Sequence, residues 1–468
     1  FDPEVKAAGY DLIILEGAAS SPVVLYIQDD SVGFLDAAPI WGLEVYETEL
    51  AVRKMTGNRE VRILSIGPAG ENLVKFASLS NDFSRNAARG GSGAVLGSKK
   101  VKAIAVRGTR DIPVRDPREM REAVAAAKTV IFSNPWVPGQ RQYGTVRNVP
   151  VVNGNGFLPV DNFTRGALPD VSAIDEHAFE ARTRKVLSCG ECPVACSKGY
   201  GKSKYKMEGP EFETVGLFGP NIGILDPDDI ARFNYLCNQY GLDTITAGAL
   251  IGGLLGTEHL PRGGSRNRRE IVADLLGKIV LREGIGAVLA EGPAAAAAEL
   301  GLVDSMPQIK GLGFPAYDPR ISVGTALAYM TADRGACHLR SWPVGRELSG
   351  LWADDDLDGR ISFVKTQQDD KAAEESLTVC QFVYGIGLLN DVLARMVNAA
   401  TGEDWDLQRM RTAGERCWTL SRLFNAREGI SRKDDYLPRK FAEEPVTDGP
   451  IKGKMISRET QDYLLDRY

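Results

Sequence analysis

Apolar and polar positions change rhythm along this chain. Up to about residue 113 the apolar residues come in short runs bounded by turn residues: Val23–Gln28, Val32–Leu35, Val61–Ile66 and Val101–Val106. Runs of this length, rich in β-branched residues, predict strands, and Asp29-Asp30-Ser31 between the first two predicts a hairpin. Tyr10–Glu16 (YDLIILE) reads with them as another strand. One helix is predicted over Leu43–Met55, between Gly42 and Gly57. After Asp111–Pro117 the texture turns helical. Arg118–Ile131 is amphipathic, with Pro117 at its start. Residues 132–170 carry many Gly, Pro and Asn and read as an irregular connection. Apolar residues then recur at helical spacing over Asp228–Tyr240, Thr244–Leu255, Arg269–Arg282, Ile285–Leu300 and Asp406–Glu428, with Gly256–Arg268 as a polar loop. The class is α+β.

Composition narrows the function. The 468 residues exceed one core and predict more than one domain. A net charge of -6 argues against nucleic acid as the main partner. No apolar run approaches the ~20 residues that span a bilayer. No signal peptide is visible, and the start at Phe1, in mid-pattern, gives the expectation of a fragment. Seven cysteines with a tight triplet suit a reducing cytoplasm better than a disulfide framework.

Chemistry concentrates in a few places. Cys189, Cys192 and Cys196 have C-x2-C-x3-C spacing, and the chain has only three histidines. Dense thiolate ligation without histidine points to an iron–sulfur cluster or a four-cysteine zinc site. The fourth ligand is open among Cys237, Cys337, Cys380 and Cys417. The glycine-rich run Arg85–Lys100 lacks both the Walker A and the Rossmann spacing. Its glycines allow close backbone approach, and Arg85 and Arg89 offer guanidinium forks for phosphate; a plain strand–turn–helix loop is the equal alternative. In Glu208–Thr214, Glu211 and Glu213 alternate, so an extended segment would present both on one side, as a general base or as a solvated acidic loop. His338, beside Cys337, is a lone histidine able to act near neutral pH. Asn238–Asp243 and Glu375–Cys380 share one pattern and, read alone, are helix ends.

Taken in order, these runs resemble the tungsten-containing aldehyde ferredoxin oxidoreductases. The resemblance is carried by Ile66-Gly-Pro-Ala-Gly-Glu-Asn-Leu-Val, Arg89–Lys99, the cysteine triplet, Gly209–Glu213, Gly241–Thr246, Pro315–Arg320, Arg334–Arg340 and Leu423-Phe-Asn. It implies a β-rich base domain, partial here over 1–113, followed by two largely helical domains over 114–308 and 309–468, with the cofactor buried between them. It implies a [4Fe–4S] cluster on Cys189, Cys192, Cys196 and Cys380, leaving Cys237, Cys337 and Cys417 as packed thiols. It places a tungsten (or molybdenum) bis-pterin against Arg85, Asn86, Ala88, Arg89, Gly90 and Gly91, with Mg2+ bridging the pterin phosphates. The paired motifs would contribute Asn238, Leu242 and Asp243, and Glu375 and Val379. Glu213 and His338 would do acid–base work. The implied reaction oxidises an aldehyde to a carboxylate with ferredoxin as electron acceptor, in a cytoplasmic enzyme without nucleic-acid or membrane partners, with a homodimer among its assemblies. Asn238, Glu375 and Thr378-Val379 depart from the family motif Asp-x-x-Gly-Leu-Cys/Asp. Two alternatives stay open: an electron-transfer or structural subunit that retains only the cluster, which the altered second motif and the missing N-terminal part favour, and a family enzyme with another substrate.

Overall fold

The computed structural model describes residues 1–190, 192–201, 207–262, 265–350, 352–353, 356–384 and 391–468. The strands of its largest sheet are β1 (Val23–Gln28), β2 (Ser31–Asp36), β3 (Arg62–Ser65), β4 (Leu79–Asn81), β5 (Arg85–Ala87) and β6 (Val101–Arg107). The helices that matter below are α1 (Val45–Thr56), α2 (Ser92–Ser98), α3 (Pro117–Ser133), α4 (Phe212–Phe218), α5 (Pro227–Tyr240), α6 (Thr244–Gly253), α7 (Ser265–Leu281), α8 (Val323–Thr331), α9 (Leu357–Ser376), α10 (Asp391–Thr401) and α11 (Leu407–Arg427). The chain sorts into two compact units. Unit 1 comprises Phe1–Ile112 and Gly199–Met306, and unit 2 comprises Pro113–Lys198 and Pro307–Tyr468. Residues 199–306 therefore share a unit with the N-terminal segment. The α+β class holds.

Unit 1 is built on a mixed sheet in the order β2-β1-β6-β3-β4-β5. The predicted hairpin pairs β1 with β2 antiparallel, and β1 runs parallel to β6. Strand β6 is buried on both faces: Val101, Ile104 and Val106 join Leu25, Ile27 and Leu96 on one side, and Ala103 and Ala105 join Val24, Val52 and Ile63 on the other. That double burial explains why apolar residues point to both faces of the strand. Lys102 within it is fully buried, paired with Glu71 and donating to the Leu43 carbonyl at 2.8 Å. Tyr10–Glu16 does not form a strand. Leu12 and Ile14 are exposed, so an apolar run alone did not secure a place in the sheet.

The helical half of unit 1 starts where caps are. Asp226 accepts from the backbone N–H groups of Asp228 and Asp229 ahead of α5, and Asp243 caps α6 in the same way. Helix α7 begins at Ser265, inside the predicted Gly256–Arg268 loop, of which Gly263 and Gly264 lie outside the described residues. The predicted helix Ile285–Leu300 is two helices, Ile285–Ala290 and Pro293–Glu299. Gly292, at φ 88°, followed by Pro293 breaks it.

In unit 2, Asp116 caps α3 through the N–H groups of Arg118 and Glu119, and α3 packs along α10. The stretch 132–170 is more ordered than predicted, with helices at Trp136–Tyr143 and Asn148–Gly154. Helices α9 and α11 pack closely because Gly414 has no Cβ to meet the Asp369 carbonyl. Phe163, Phe314, Tyr329 and Phe441 form an aromatic core, with ring centroids 4.8 to 5.9 Å apart. The Pro315–Arg320 run serves that core. Arg320 pairs with Asp318 (2.6 Å), both fully buried, and lies over the Phe441 ring.

Candidate functional site

Residues from both halves of unit 1 meet at the glycine-rich run. Strand β5 carries Arg85 and Asn86, Ala88 and Arg89 follow, and Gly90 (φ 114°) and Gly91 (φ 73°) turn the chain into α2. Gly91 is required twice over, since a Cβ there would also strike the Lys75 carbonyl. The loop is a strand–turn–helix connection, as the plain reading held. Its sequence-distant neighbours are what distinguish it. Asn86 Nδ2 donates to Asn238 Oδ1 at 2.6 Å, and Arg89 Nε lies 3.8 Å from Asp243 Oδ2 with both side chains nearly buried. The first paired motif thus docks on the run.

That docking follows from a helix ending. Helix α5 stops at Gly241 in the left-handed region (φ 74°), and the Leu242 N–H donates to the Cys237 carbonyl at 2.8 Å. This bond and the left-handed residue are those of a Schellman-type terminus. The chain beyond is then free to bridge Ala77 with Leu242 and to bond Asp243 N–H to the Phe76 carbonyl. Leu242 is buried. The Asp243 carboxylate is already engaged: it accepts from Ile245 N, Thr246 N and Thr246 Oγ1 as the cap of α6.

Glu213 does not sit on an extended segment. Glu211 is the residue before α4 and Glu213 lies in its first turn, half-buried, so the expected same-side alternation is replaced by helical geometry. Thr214 of α4 bonds Thr244 of α6 at 2.9 Å, which fixes the start of α4 next to the Asp243 cap. Sequence reading gave no role to Glu208, yet it pairs with Arg85 at 3.1 Å and accepts from Ser84 Oγ at 3.0 Å.

The second set of candidates lies in unit 2. None of the seven cysteines is in a disulfide. Cys192 and Cys196 pack against Ala127, Ile131, Val137 and Val194, and Val383 packs on the same cluster, three residues after Cys380. Trp136 also meets Phe382 there, at 5.4 Å between centroids. Although Cys380 as a residue is exposed, burial of its thiol pushes the pKa up, and the charges of Cys192 and Cys189 push the same way. The triplet and Cys380 are therefore neighbours despite nearly 200 residues of separation. As a donor set these soft thiols fit an iron–sulfur cluster. Among the described residues no three Cys, His, Asp or Glu side chains are arranged at metal-binding geometry. Cys237 and Cys337 are buried, and burial pushes the Cys237 thiol strongly up; Cys417 is exposed, contrary to its expected packing.

Glu375–Cys380 repeats the geometry of the first motif. Helix α9 ends, Thr378 takes the left-handed conformation (φ 57°), and Val379 N–H donates to the Glu374 carbonyl at 3.1 Å. Gly241 and Thr378 correspond, as do Leu242 and Val379. Glu375 is ion-paired with Arg340, whose Nε also bonds Asp333 at 2.9 Å. Burial alone would lower the Arg340 pKa, but those two carboxylates outweigh it and hold the guanidinium charged. The three residues line a cavity of about 270 Å³ with Cys417 and Trp418. His338 sits half-buried between Tyr317 (6.0 Å) and Trp342 (5.8 Å).

Known proteins match the chain along its length. Residues 1–108 match the model "aldehyde ferredoxin oxidoreductase, N-terminal domain", and 122–468 match "aldehyde ferredoxin oxidoreductase, domains 2 & 3". The chain belongs to the aldehyde ferredoxin oxidoreductase family, a family of oxidoreductases. It is 38% identical over 492 residues to the tungsten-containing aldehyde ferredoxin oxidoreductase of Pyrococcus furiosus, covering 100% of this chain and 80% of the relative. The enzyme of that name from Thermococcus kodakarensis is 37% identical, with the same coverage. The aliphatic sulfonate oxidoreductase WOR-like subunit of Pyrococcus furiosus is 30% identical, covering 99% and 78%. Among solved structures, the active site complex BamBC of benzoyl coenzyme A reductase shares the fold at TM-score 0.80 and 23% identity, over 100% of this chain and 79% of that one. No described helix is long and apolar enough to cross a membrane.

Proposed function

We propose that the protein oxidises an aldehyde with water to a carboxylate and delivers the electrons to ferredoxin in the cytoplasm. The observation that carries this reading is the pairing of Arg85–Gly91 with Asn238–Asp243, two distant segments joined by Asn86–Asn238 and Arg89–Asp243 contacts. Two guanidinium groups and two left-handed glycines suit a phosphate-bearing cofactor, and Asn238 suits a pterin amine. Arg85, Asn86, Ala88, Arg89, Gly90, Gly91, Asn238, Leu242, Asp243, Glu375 and Val379 would hold the bis-pterin and its Mg2+, and Cys189, Cys192, Cys196 and Cys380 a [4Fe–4S] cluster. When bound, a tungsten or molybdenum bis-pterin would supply two-electron redox chemistry and a [4Fe–4S] cluster one-electron transfer toward ferredoxin.

The chain's own contribution is proton handling and orientation. Glu213, half-buried in the first turn of α4, would accept a proton from the attacking water as the aldehyde C–H bond is lost and a C–O bond forms. His338 would donate a hydrogen bond to the carbonyl oxygen as negative charge grows there. Its place between Tyr317 and Trp342 restricts the ring's orientation. A homodimer belongs to the same proposal, as does the division into segments 1–113, 114–308 and 309–468, the second of which is itself divided between the two units at residues 198–199.

The deciding experiment is elemental analysis of protein purified without oxygen, followed by an aldehyde screen with ferredoxin. Iron with tungsten or molybdenum, and aldehyde-dependent ferredoxin reduction, is the expected result. Iron with neither heavier metal would leave an electron-transfer subunit, and zinc alone would overturn the cluster. Glu213→Gln should abolish turnover with iron content unchanged; a normal rate removes Glu213 from the reaction. Cys380→Ala should lower iron per chain, and full iron in that variant moves the fourth ligand elsewhere. A different substrate is the second reading, favoured by 30% identity to a relative named for aliphatic sulfonates. Sulfonate-dependent reduction in the same screen would select it.

A further inference from the structure

We infer that Glu208 is a positioning residue that sets the Arg85 guanidinium for anion binding. The inference rests on reading Arg85–Gly91 as the phosphate loop. Both Glu208 carboxylate oxygens are used on consecutive residues of the β4–β5 hairpin: Oε2 accepts from Ser84 Oγ at 3.0 Å, and Oε1 lies 3.1 Å from the Arg85 guanidinium. The carboxylate is itself fixed from behind. The Glu208 carbonyl accepts from Asn234 Nδ2 at 2.9 Å, and its backbone bridges Gly199. Asn234 lies on α5, one turn before Asn238, which holds Asn86. Helix α5 therefore reaches the loop twice, directly through Asn238 and indirectly through Glu208.

The residue is nearly buried, whereas the Arg85 side chain keeps 26% of its surface exposed. An arginine presents five donors in a rigid fork, so anchoring one edge leaves the rest aimed. Loss of the anchor frees a side chain that must then be ordered when the anion binds. This makes a prediction of opposite sign to simple charge counting. Removing a carboxylate beside an anion site should tighten binding by electrostatics alone; removing an anchor should weaken it.

The test compares Glu208→Gln, Ser84→Ala and Arg85→Gln in the full chain purified without oxygen. Metal content is read per chain, and binding of inorganic pyrophosphate is read calorimetrically on protein produced without tungsten or molybdenum. Arg85→Gln should lose both the heavier metal and pyrophosphate binding. Glu208→Gln should weaken pyrophosphate binding roughly three- to ten-fold and lower the tungsten or molybdenum, with iron unchanged. Ser84→Ala, which leaves the carboxylate in place, should move both in the same direction by less. Unchanged or tighter pyrophosphate binding in Glu208→Gln, with Arg85→Gln impaired, overturns the positioning role. Iron and heavier metal falling together in both Glu208→Gln and Ser84→Ala also overturn it, since that marks a general structural role. Arg85→Gln behaving like the wild type overturns the phosphate-loop reading beneath it.

Discussion

Gly241 and Thr378 hold the same left-handed position at two equivalent helix ends, at φ 74° and 57°. Glycine adopts it freely, but the Cβ of a β-branched threonine crowds the following carbonyl oxygen there. The strain is about 1–2 kcal/mol, set against the greater chain entropy that glycine loses on folding. Thr378→Gly should therefore stabilise the protein by roughly 0.5–1 kcal/mol, measured as a shift in denaturation midpoint at unchanged slope. No gain would mean that contacts of the threonine side chain offset the strain. Gly241→Ala should act in reverse, by about 1–2 kcal/mol or more, because the new Cβ would also lie 2.9 Å from the Gly67 nitrogen. The sequence made the departure at Thr378 visible by comparison with the family motif. It could not show that the departure falls on the one residue whose backbone sign matters, because a helix end does not announce its left-handed residue unless that residue is glycine.

Helix α1 braces the site from the side. Tyr46 N–H donates to Gln239 Oε1 at 3.2 Å, next to Asn238, and the Tyr46 ring meets Phe83 at 4.8 Å. Glu49 accepts the Phe83 N–H at 2.5 Å in the turn between β4 and β5, where Asp82 and Phe83 are both left-handed. Burial raises the Glu49 pKa to about 7, against the lowering pull of the Phe83 N–H and Arg53, with Asp82 adding to the rise. The folded protein thus holds this proton at pH values where the unfolded chain has released it. The stability associated with protonated Glu49 is present below the unfolded value of 4.5 and is lost as pH rises through about 7. The loss amounts to roughly 3 kcal/mol at most. Glu49→Gln should flatten this part of the stability–pH curve; an unaltered slope between pH 5 and 7 would assign it to another group. Elements such as α1, α3 and α5 were legible because caps, prolines and apolar spacing agree locally. The Glu211–Glu213 stretch was not, since period-2 and helical placements of two glutamates look alike over three residues. Nor was the brace, which consists of contacts 34 and 193 residues apart in the chain.

At the scale of the molecule, the candidate residues divide cleanly between the two units. Arg85–Gly91, Glu208, Glu213 and Asn238–Asp243 belong to unit 1, whereas the four cysteines proposed for a cluster, Glu375, Val379 and His338 belong to unit 2. The chain crosses between units at residues 112–113, 198–199 and 306–307, so sequence proximity misleads: Cys196 and Glu208 are twelve residues apart but fall on opposite sides. Motif order along the chain carries no information about that partition, which is why the candidate residues were legible one by one and their grouping was not. The partition has a consequence for metal removal. Where a cluster is held by Cys189, Cys192, Cys196 and Cys380, its binding energy supports the segments those thiols join. These are the triplet loop, the helix Gln381–Tyr384 and the core of α3 and α10 on which Cys192, Cys196 and Val383 pack. Chelating iron anaerobically should therefore raise amide hydrogen exchange over those segments of unit 2 by local opening. Exchange in β6, the Arg85–Gly91 loop and the end of α5 should stay as it was, because their bonds close within unit 1. Equal loss of protection in both units would show that the metal supports the whole fold. No change in unit 2 would detach the cysteines from any cluster.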